Sequence, residues 1–218
     1  MMTLQLSGTN AVLTDSSTLF NYDGNATKVK IYTIIVSIML LISALFSGRL
    51  SDKYGRRTLL LWGNGLCAVI LLAMGALQQP QFSSDTLKEV SIYLTFVFIF
   101  VFGLSLAPIS WLYEPEILPE KGVSLAVITT WVFCVLIVFL CPILIEIIGI
   151  SPLYYFFGGY LVFSEVHMFF WLYETKGKSN KEIDEMFGNN KVEYIESKSS
   201  ESEALTKTGN ASYVLMNE

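Results

Sequence analysis

Five stretches of the chain carry no charged residue and consist mainly of apolar side chains. They cover residues 31–48, 58–84, 90–113, 122–145 and 147–164. The hydrocarbon core of a bilayer is about 30 Å thick, and a helix of roughly 20 apolar residues crosses it. The pattern predicts an all-α, multi-pass integral membrane protein. The predicted spans lie at residues 31–49, 58–77, 90–113, 123–145 and 152–173.

The two ends of the chain differ from these stretches. Residues 1–20 are partly apolar but are interrupted by small and polar side chains, which predicts a partial span. Residues 188–218 are rich in Ser, Glu, Lys and Asn and have no sustained apolar period, so we expect a disordered tail. The membrane domain is therefore predicted to cover residues 1–187.

The distribution of Lys and Arg among the loops predicts the orientation in the membrane. The loop at 48–57 contains Arg49, Lys53, Arg56 and Arg57, and short basic loops face the cytosol. Alternation of the spans then puts the loop at 114–121 and the carboxyl terminus on the cytosolic side. We expect the plasma membrane as the location.

Composition removes several classes of function. Hydrophobic residues make up 53% of the chain and stand in blocks that a soluble domain would not need. There is no block of basic residues that would favour nucleic acid as a partner. The three cysteines lie in apolar spans without a Cys-x-x-Cys spacing, and the chain has one histidine. We therefore expect no metal, no cofactor and no enzymatic activity.

Five segments carry a resemblance to a known family. The loop Gly-Arg-Leu-Ser-Asp-Lys-Tyr-Gly-Arg-Arg at 48–57 resembles the D-[RK]-x-G-R-[RK] loop of the major facilitator superfamily. Four others resemble motifs of its sugar porters, the hexose transporter-like family, in the same order. These are Leu-Gln-Leu-Ser-Gly-Thr-Asn at 4–10, Ala-Pro-Ile-Ser-Trp-Leu-Tyr-Glu-Pro-Glu-Ile-Leu-Pro at 107–119, Thr-Thr-Trp at 129–131 and Tyr-Glu-Thr-Lys-Gly-Lys-Ser at 173–179.

The resemblance covers the carboxyl-terminal half of a sugar porter, helices seven to twelve of twelve. It implies a six-helix bundle whose first helix is truncated, because Met1 falls inside the seventh helix of the family. It also implies that this first helix is broken and lines a cavity. Helices that face water or substrate tolerate such polar residues and irregular backbone.

The resemblance implies a charge network that acts as a cytosolic gate. Asp52, Arg56 and Arg57 of the basic loop would pair with Glu116 and Glu174, which match the glutamates of two family motifs. These ion pairs would hold the outward-facing state and break when the cytosolic side opens. The alternative is a basic loop that serves only to fix the topology.

The resemblance also implies substrate-binding residues. Amide and indole groups bind sugar hydroxyls and cover the sugar ring, and the positions that match are Gln5, Asn10, Trp111 and Trp131. The alternative for these four is a packing or interfacial role. Family amides are replaced by Leu4, Leu40 and Thr130. A hexose would thereby lose hydrogen bonds worth about 0.5–1.5 kcal/mol each, so ordinary hexose specificity is not expected.

Two features inside the later spans are also notable. Gly103 and Pro108 are predicted to loosen the hydrogen-bond ladder of the third clear helix and form a gating kink. A kink that serves packing alone is the alternative. Glu165 and His167 lie in the last span outside any matched motif. They mark either an intramembrane functional site or the end of the helix near the interface.

The predicted function is transport of a small polar solute, of the sugar class, by alternating access. The chain would form one half of the porter in the lipid bilayer and would need a second six-helix bundle or a second copy of itself. The alternative is a non-transporting membrane protein with a binding or regulatory role, or a degenerate fragment of a sugar transporter.

Overall fold

The computed structural model describes residues 2–20, 26–79 and 85–187, and the predicted tail at 188–218 lies outside this part of the chain. The described residues form helices joined by short turns. In chain order they are α1 (Met2–Gln5), α2 (Thr9–Phe20), α3 (Ala26–Tyr54), α4 (Arg56–Leu77), α5 (Asp85–Leu104), α6 (Leu106–Ile117), α7 (Glu120–Ile148), α8 (Ile150–Trp171) and α9 (Asn180–Phe187). The predicted all-α class is confirmed.

Four helical segments are long and apolar enough to cross a membrane: α3, α4, α5 with α6, and α7. Each contains or closely overlaps a predicted span and extends past it into polar residues. The fifth clear span, predicted at 152–173, corresponds to α8, which has 22 residues but carries Glu165 and His167. By length and composition α8 is not among the four, so the count of six spans stays a prediction.

The extent predicted for the basic loop, residues 48–57, was wrong. Helix α3 continues to Tyr54 and α4 begins at Arg56, so Gly55 alone joins them. Gly55 has a φ of 93° and its N–H donates to the Ser51 carbonyl at 3.0 Å. Hydropathy marks where apolar residues stop, whereas Asp and Lys continue a helix into the aqueous layer. The positive φ is a conformation that favours glycine at this position.

The first helix is interrupted, as the resemblance implied. It breaks between α1 and α2 at Gly8, which has a φ of 76°. The Ser7 hydroxyl donates to the Leu4 carbonyl at 2.7 Å and lies 2.9 Å from the Thr9 hydroxyl. The polar side chains of this segment therefore satisfy the irregular backbone and each other, which explains why the sequence alone predicts a weak span.

A second interruption separates α5 from α6 at Ser105, which has φ −121° and ψ −79°. Pro108 has no N–H to donate to the carbonyl four residues earlier, that of Leu104. The interruption lies between Gly103 and Pro108, and its movement during gating stays a prediction. Gly103 has another role: a Cβ there would overlap the Ser43 hydroxyl. Gly103 therefore allows α5 to approach α3 closely.

We expect Gly103→Ala to destabilise the bundle by about 1 kcal/mol, because one added methyl group must displace Ser43. The measurement is the midpoint of thermal unfolding in detergent. The matched control is Gly159→Ala, because a Cβ at Gly159 meets no atom within 4 Å. If both variants unfold at the same temperature, close approach at Gly103 is not a constraint.

The helices differ strongly in how much of their surface is covered. The core forms where α4 packs along α8 and α5 along α3 and α4, with Leu71, Phe98 and Tyr154 fully buried. By contrast, only 11% of the apolar window is buried in each of α3 and α7. Their outward faces therefore need lipid or another apolar surface.

Candidate functional site

A carboxylate from a distant part of the chain caps the amino end of α4. Glu174, which follows α8, accepts the backbone N–H groups of Arg56 at 2.9 Å and Arg57 at 3.1 Å. The first N–H groups of a helix lack partners within the helix, and an anion there also meets the positive end of the helix dipole. Gly55 makes room for this contact, because a Cβ there would lie 2.5 Å from a Glu174 oxygen.

Arg56 links the turn to α6. One guanidinium nitrogen lies 3.4 Å from Glu116, and another lies 3.5 Å from Asp52 one turn earlier. The side chains of Arg56 and Glu116 are 17% and 23% exposed, whereas Asp52 is 77% exposed. Water screens the Asp52 pair, so Glu116 is the stronger partner of Arg56. The second oxygen of Glu116 accepts the Thr175 hydroxyl at 2.7 Å.

Arg57 was predicted to pair with a glutamate, but its side chain contacts Phe169 of α8. Its guanidinium donates to the Phe169 carbonyl at 2.8 Å and lies over the Phe169 ring at 5.9 Å. Among the described residues, both ion pairs of this cluster are made by Arg56. Successive helical residues point about 100° apart, so Arg57 turns toward α8 when Arg56 faces α6. Its contact with Glu174 is through the backbone.

Three residues inside the matched motifs, for which no role was predicted, add contacts to the cluster. Thr175 holds Glu116, the Tyr113 hydroxyl donates to the Tyr173 carbonyl at 2.9 Å, and the Lys176 ammonium donates to the Lys53 carbonyl at 2.6 Å. Each lies within three residues of a motif glutamate. That proximity was the available signal, but hydrogen bonds between distant segments of the chain leave no pattern in a sequence.

The helix α9 follows the cluster and begins with a capping box. The Ser179 N–H donates to the Glu182 carboxylate at 2.7 Å, and the Glu182 N–H lies 3.4 Å from the Ser179 hydroxyl. Ile183 is buried and the rings of Tyr173 and Phe187 pack edge to face. The α9 helix is therefore attached to the segment that carries Glu174.

Acid should loosen α9. The Ser179 N–H holds the pKa of Glu182 below its ordinary value of 4.5. A lowered pKa stabilises the helix above the ordinary value, and this contribution disappears as pH falls through the lowered pKa. We expect faster hydrogen–deuterium exchange in α9 below about pH 4.5, after correction for intrinsic rates. Glu182→Gln should remove this dependence, whereas Glu185→Gln, on the same helix, should keep it.

The four predicted substrate-binding residues divide into two groups. The Asn10 side-chain amide donates to Oε1 of the Gln5 side chain at 3.0 Å across the break between α1 and α2, and it also approaches the Cys134 sulfur at 4.0 Å. Trp111 and Trp131 lie on α6 and α7 with 43% and 60% of their surface exposed. The structure thus joins the amides and leaves both indoles on outer surfaces of the bundle.

A cavity of about 560 Å³ lies between α1, α6, α7 and α8. Its walls are mostly apolar, and none of the four predicted substrate-binding residues lines it. Its polar lining residues are Thr3, Ser110, Tyr113, Glu114 and Thr129. The sequence pattern put Glu114 at the start of a cytosolic loop, which was wrong because α6 continues to Ile117. Glu114 directly follows an apolar stretch of sequence, but it belongs to helix α6 and not to a loop.

The two residues of α8 that the motifs left unassigned, Glu165 and His167, have separate environments. Glu165 accepts the amide N–H of fully buried Asn64 at 2.7 Å, and the same amide nitrogen donates to the Leu161 carbonyl at 2.9 Å. His167 stacks on Trp171 with ring centroids 6.1 Å apart. Glu165 thus links α8 to α4 through Asn64, a partner that the sequence did not reveal.

Comparison with known proteins bears directly on the resemblance. The family model described as "Sugar (and other) transporter" matches residues 1–187. A hexose transporter of Saccharomyces cerevisiae is 32% identical over 84% of this chain and 35% of its own length. Hexose transporter 1 of Plasmodium vivax is 30% identical over 79% of this chain and 35% of its own length. These relatives are transporters and not enzymes.

A solved structure shares the fold. The proton:xylose symporter XylE, a major facilitator protein bound to 6-bromo-6-deoxy-D-glucose, superposes with a TM-score of 0.76 at 23% identity. The superposition covers 85% of this chain and 41% of that one. The chain spans about a third of the length of the curated relatives it matches. By its family match and its relatives, the chain is an integral membrane protein that belongs to the sugar (and other) transporter family, and it has the fold of a major facilitator protein.

Proposed function

We propose that this chain moves a small polar solute of the sugar class across the membrane by alternating access. The observation that carries the proposal is the charge cluster in which Arg56 pairs with Glu116 while Glu174 caps α4. It ties together the turn between α3 and α4, the end of α6 and the segment after α8. The names of the relatives, which are hexose transporters, supply the solute class.

The cluster suits a gate because its contacts are polar, partly exposed and made between separate elements. When this end of the bundle opens, water can solvate the same charged groups, so the free-energy difference between the two states stays small. The five gate residues proposed are Asp52, Arg56, Arg57, Glu116 and Glu174. A hinge at the Ser105 interruption, between Gly103 and Pro108, would let α6 move with Glu116 while α5 stays packed.

Transport by rocking needs a second bundle around a central site. The exposed apolar faces of α3 and α7 suit such a partner, either another six-helix bundle or a second copy of this chain. Gln5 and Asn10 would then present amides to the solute, and Trp111 and Trp131 would be covered by the partner. The plasma membrane and a cytosolic carboxyl terminus belong to the same proposal.

Uptake of labelled hexoses and other small polar solutes, in cells that lack their own hexose transport, tests the proposal. We expect uptake with the wild-type chain and a lower rate with Gln5→Leu, because that change removes one of the partners of the Asn10 amide. Chemical crosslinking in the same membranes should yield a dimer or a complex. A strictly monomeric species that transports would contradict the two-bundle arrangement.

A non-transporting role is the second candidate. It is favoured by the outward position of Trp111 and Trp131 and by the apolar residues Leu4 and Leu40 at positions where the family has amides. A protein of this kind would bind a solute or another membrane protein without moving solute. Binding without uptake of any tested solute would favour this candidate.

A further inference from the structure

The side-chain amide of Asn64, on α4, is fully buried against α8. Its nitrogen donates to the Leu161 carbonyl at 2.9 Å and to Oε2 of Glu165 at 2.7 Å. Because both of these partners are acceptors, the amide cannot be reversed without placing its oxygen against them. The Oδ1 atom of Asn64 is also buried, and no described residue donates a hydrogen bond to it. A buried acceptor without a donor is costly, so a donor beside Oδ1 would stabilise the fold.

Glu165, the second member of this contact, lies on a part of α8 with apolar neighbours. The side chains of Val162, Val166 and Phe169 on the same helix are exposed and apolar, so we expect lipid around them. Glu165 stands six residues before the end of α8 at Trp171, which is roughly 9 Å along the helix axis. An ionised carboxylate in such surroundings is costly unless a cation or several donors meet it. The charge state of Glu165 therefore depends on what its neighbours can offer.

The described residues offer no cation to Glu165, because both of their ion pairs are made by Arg56. Arg57 lies two helical turns before Asn64 and faces α8, but its guanidinium donates to the Phe169 carbonyl. The other charged or titratable side chains on the elements around Glu165 are Cys67 of α4, His167 of α8 itself, Glu114 across the cavity, and Glu120, Lys121 and Glu146 at the ends of α7. In the described part of the chain, none of them forms a hydrogen bond or an ion pair with Glu165.

A proton on Glu165 would satisfy both side chains. A carboxylic acid has an O–H donor and a carbonyl acceptor, and an amide offers the complementary oxygen and N–H. The Asn64 nitrogen already donates to one oxygen of Glu165, so an O–H on the other oxygen would donate to Oδ1. We infer that Glu165 and Asn64 form a proton-binding site inside the membrane domain, with the proton on the Glu165 carboxyl and hydrogen-bonded to Oδ1 of Asn64. The site shares no residue with the gate and does not rest on the proposed function.

Infrared absorption of the purified full-length chain in lipid vesicles at neutral pH tests the inference. Exposed carboxyls are ionised there, so the C=O band of a carboxylic acid reports a protonated carboxyl. We expect this band in the wild type and the loss of one component of it in Glu165→Gln, whose neutral amide can still pair with Asn64. Asn64→Leu should shift that component to higher frequency, because the carboxyl group loses its hydrogen bonds to the amide. Glu146→Gln, which changes an exposed glutamate of α7, is the matched control and should leave the band unchanged.

Labelling with dicyclohexylcarbodiimide, an apolar reagent that reacts with protonated carboxyls in membranes, needs no substitution and stays decisive if a variant fails to fold. Peptide mass spectrometry should find more label on Glu165 than on Glu146. A spectrum unchanged by Glu165→Gln, or labelling of Glu165 no greater than that of Glu146, overturns the proton site. A component that is lost in Glu165→Gln but not shifted by Asn64→Leu overturns the role of Asn64 as its acceptor. The proposed function is tested by solute uptake, which none of these results measures.

Discussion

Gly55→Ala should lower the stability of the protein by about 3 kcal/mol, the largest effect we expect from adding a single methyl group. The backbone of Gly55 has φ 93° and ψ 155°, a region that residues with a Cβ avoid at a cost of about 1–3 kcal/mol. The added Cβ would also lie 2.5 Å from a Glu174 oxygen. The variant must therefore change the turn and displace the carboxylate that caps α4.

Thermal unfolding in detergent measures this effect, and a loss of about 3 kcal/mol corresponds to roughly 6–12 °C for a chain of this size. Gly48→Ala is the matched control, because Gly48 lies within α3 and a Cβ there meets no atom within 4 Å. Alanine is a better helix former, so the control should be neutral or slightly stabilising. Equal melting temperatures for the two variants would contradict the assigned role of Gly55.

Glu174→Ala should lower the free energy of unfolding by about 2 kcal/mol and also loosen the end of the bundle where α4 begins. The carboxylate accepts three backbone N–H groups, those of Arg56, Arg57 and Lys176, at 2.9, 3.1 and 3.0 Å. Its removal leaves the first turn of α4 without that cap. Hydrogen–deuterium exchange should therefore rise at the amino end of α4 and stay unchanged in its middle.

Asp52→Ala provides the comparison for Glu174→Ala. Both changes remove one carboxylate from the cluster, but the Asp52 side chain is 77% exposed and contacts Arg56 at 3.5 Å only. A surface ion pair of this kind contributes between about 0 and 1 kcal/mol. An Asp52 effect as large as that of Glu174 would mean that net charge, and not helix capping, stabilises the cluster.

The sequence was informative where function depends on motifs and on long apolar runs. It predicted the helical membrane class and, through the family motifs, that Arg56, Glu116 and Glu174 lie together. These features follow from composition or from a few residues at fixed spacing. The meeting of Arg56 and Glu116, which are 60 positions apart, could be expected only through the family resemblance.

Other features depend on side-chain direction and on packing, which a linear pattern does not contain. Hydropathy could not locate the end of α3, because a helix continues after its apolar residues stop. The turn of Arg57 toward Phe169 depends on helix phase, and the link from Asn64 to Glu165 depends on α4 packing against α8. Glu114 was predicted to lie in a loop because it is the first charged residue after the apolar stretch at 90–113.

The Arg56–Glu116 pair is the contact proposed to gate transport of a sugar-class solute. The most direct measurement is uptake of labelled sugars and other small polar solutes into proteoliposomes by the wild-type chain, Arg56→Gln, Glu116→Gln and the double variant. We predict uptake by the wild type and an uptake rate about tenfold lower in each single variant. The double variant should be no slower than either single variant, because both changes break the same Arg56–Glu116 contact. Absence of wild-type uptake, or losses that multiply in the double variant, would contradict the claim.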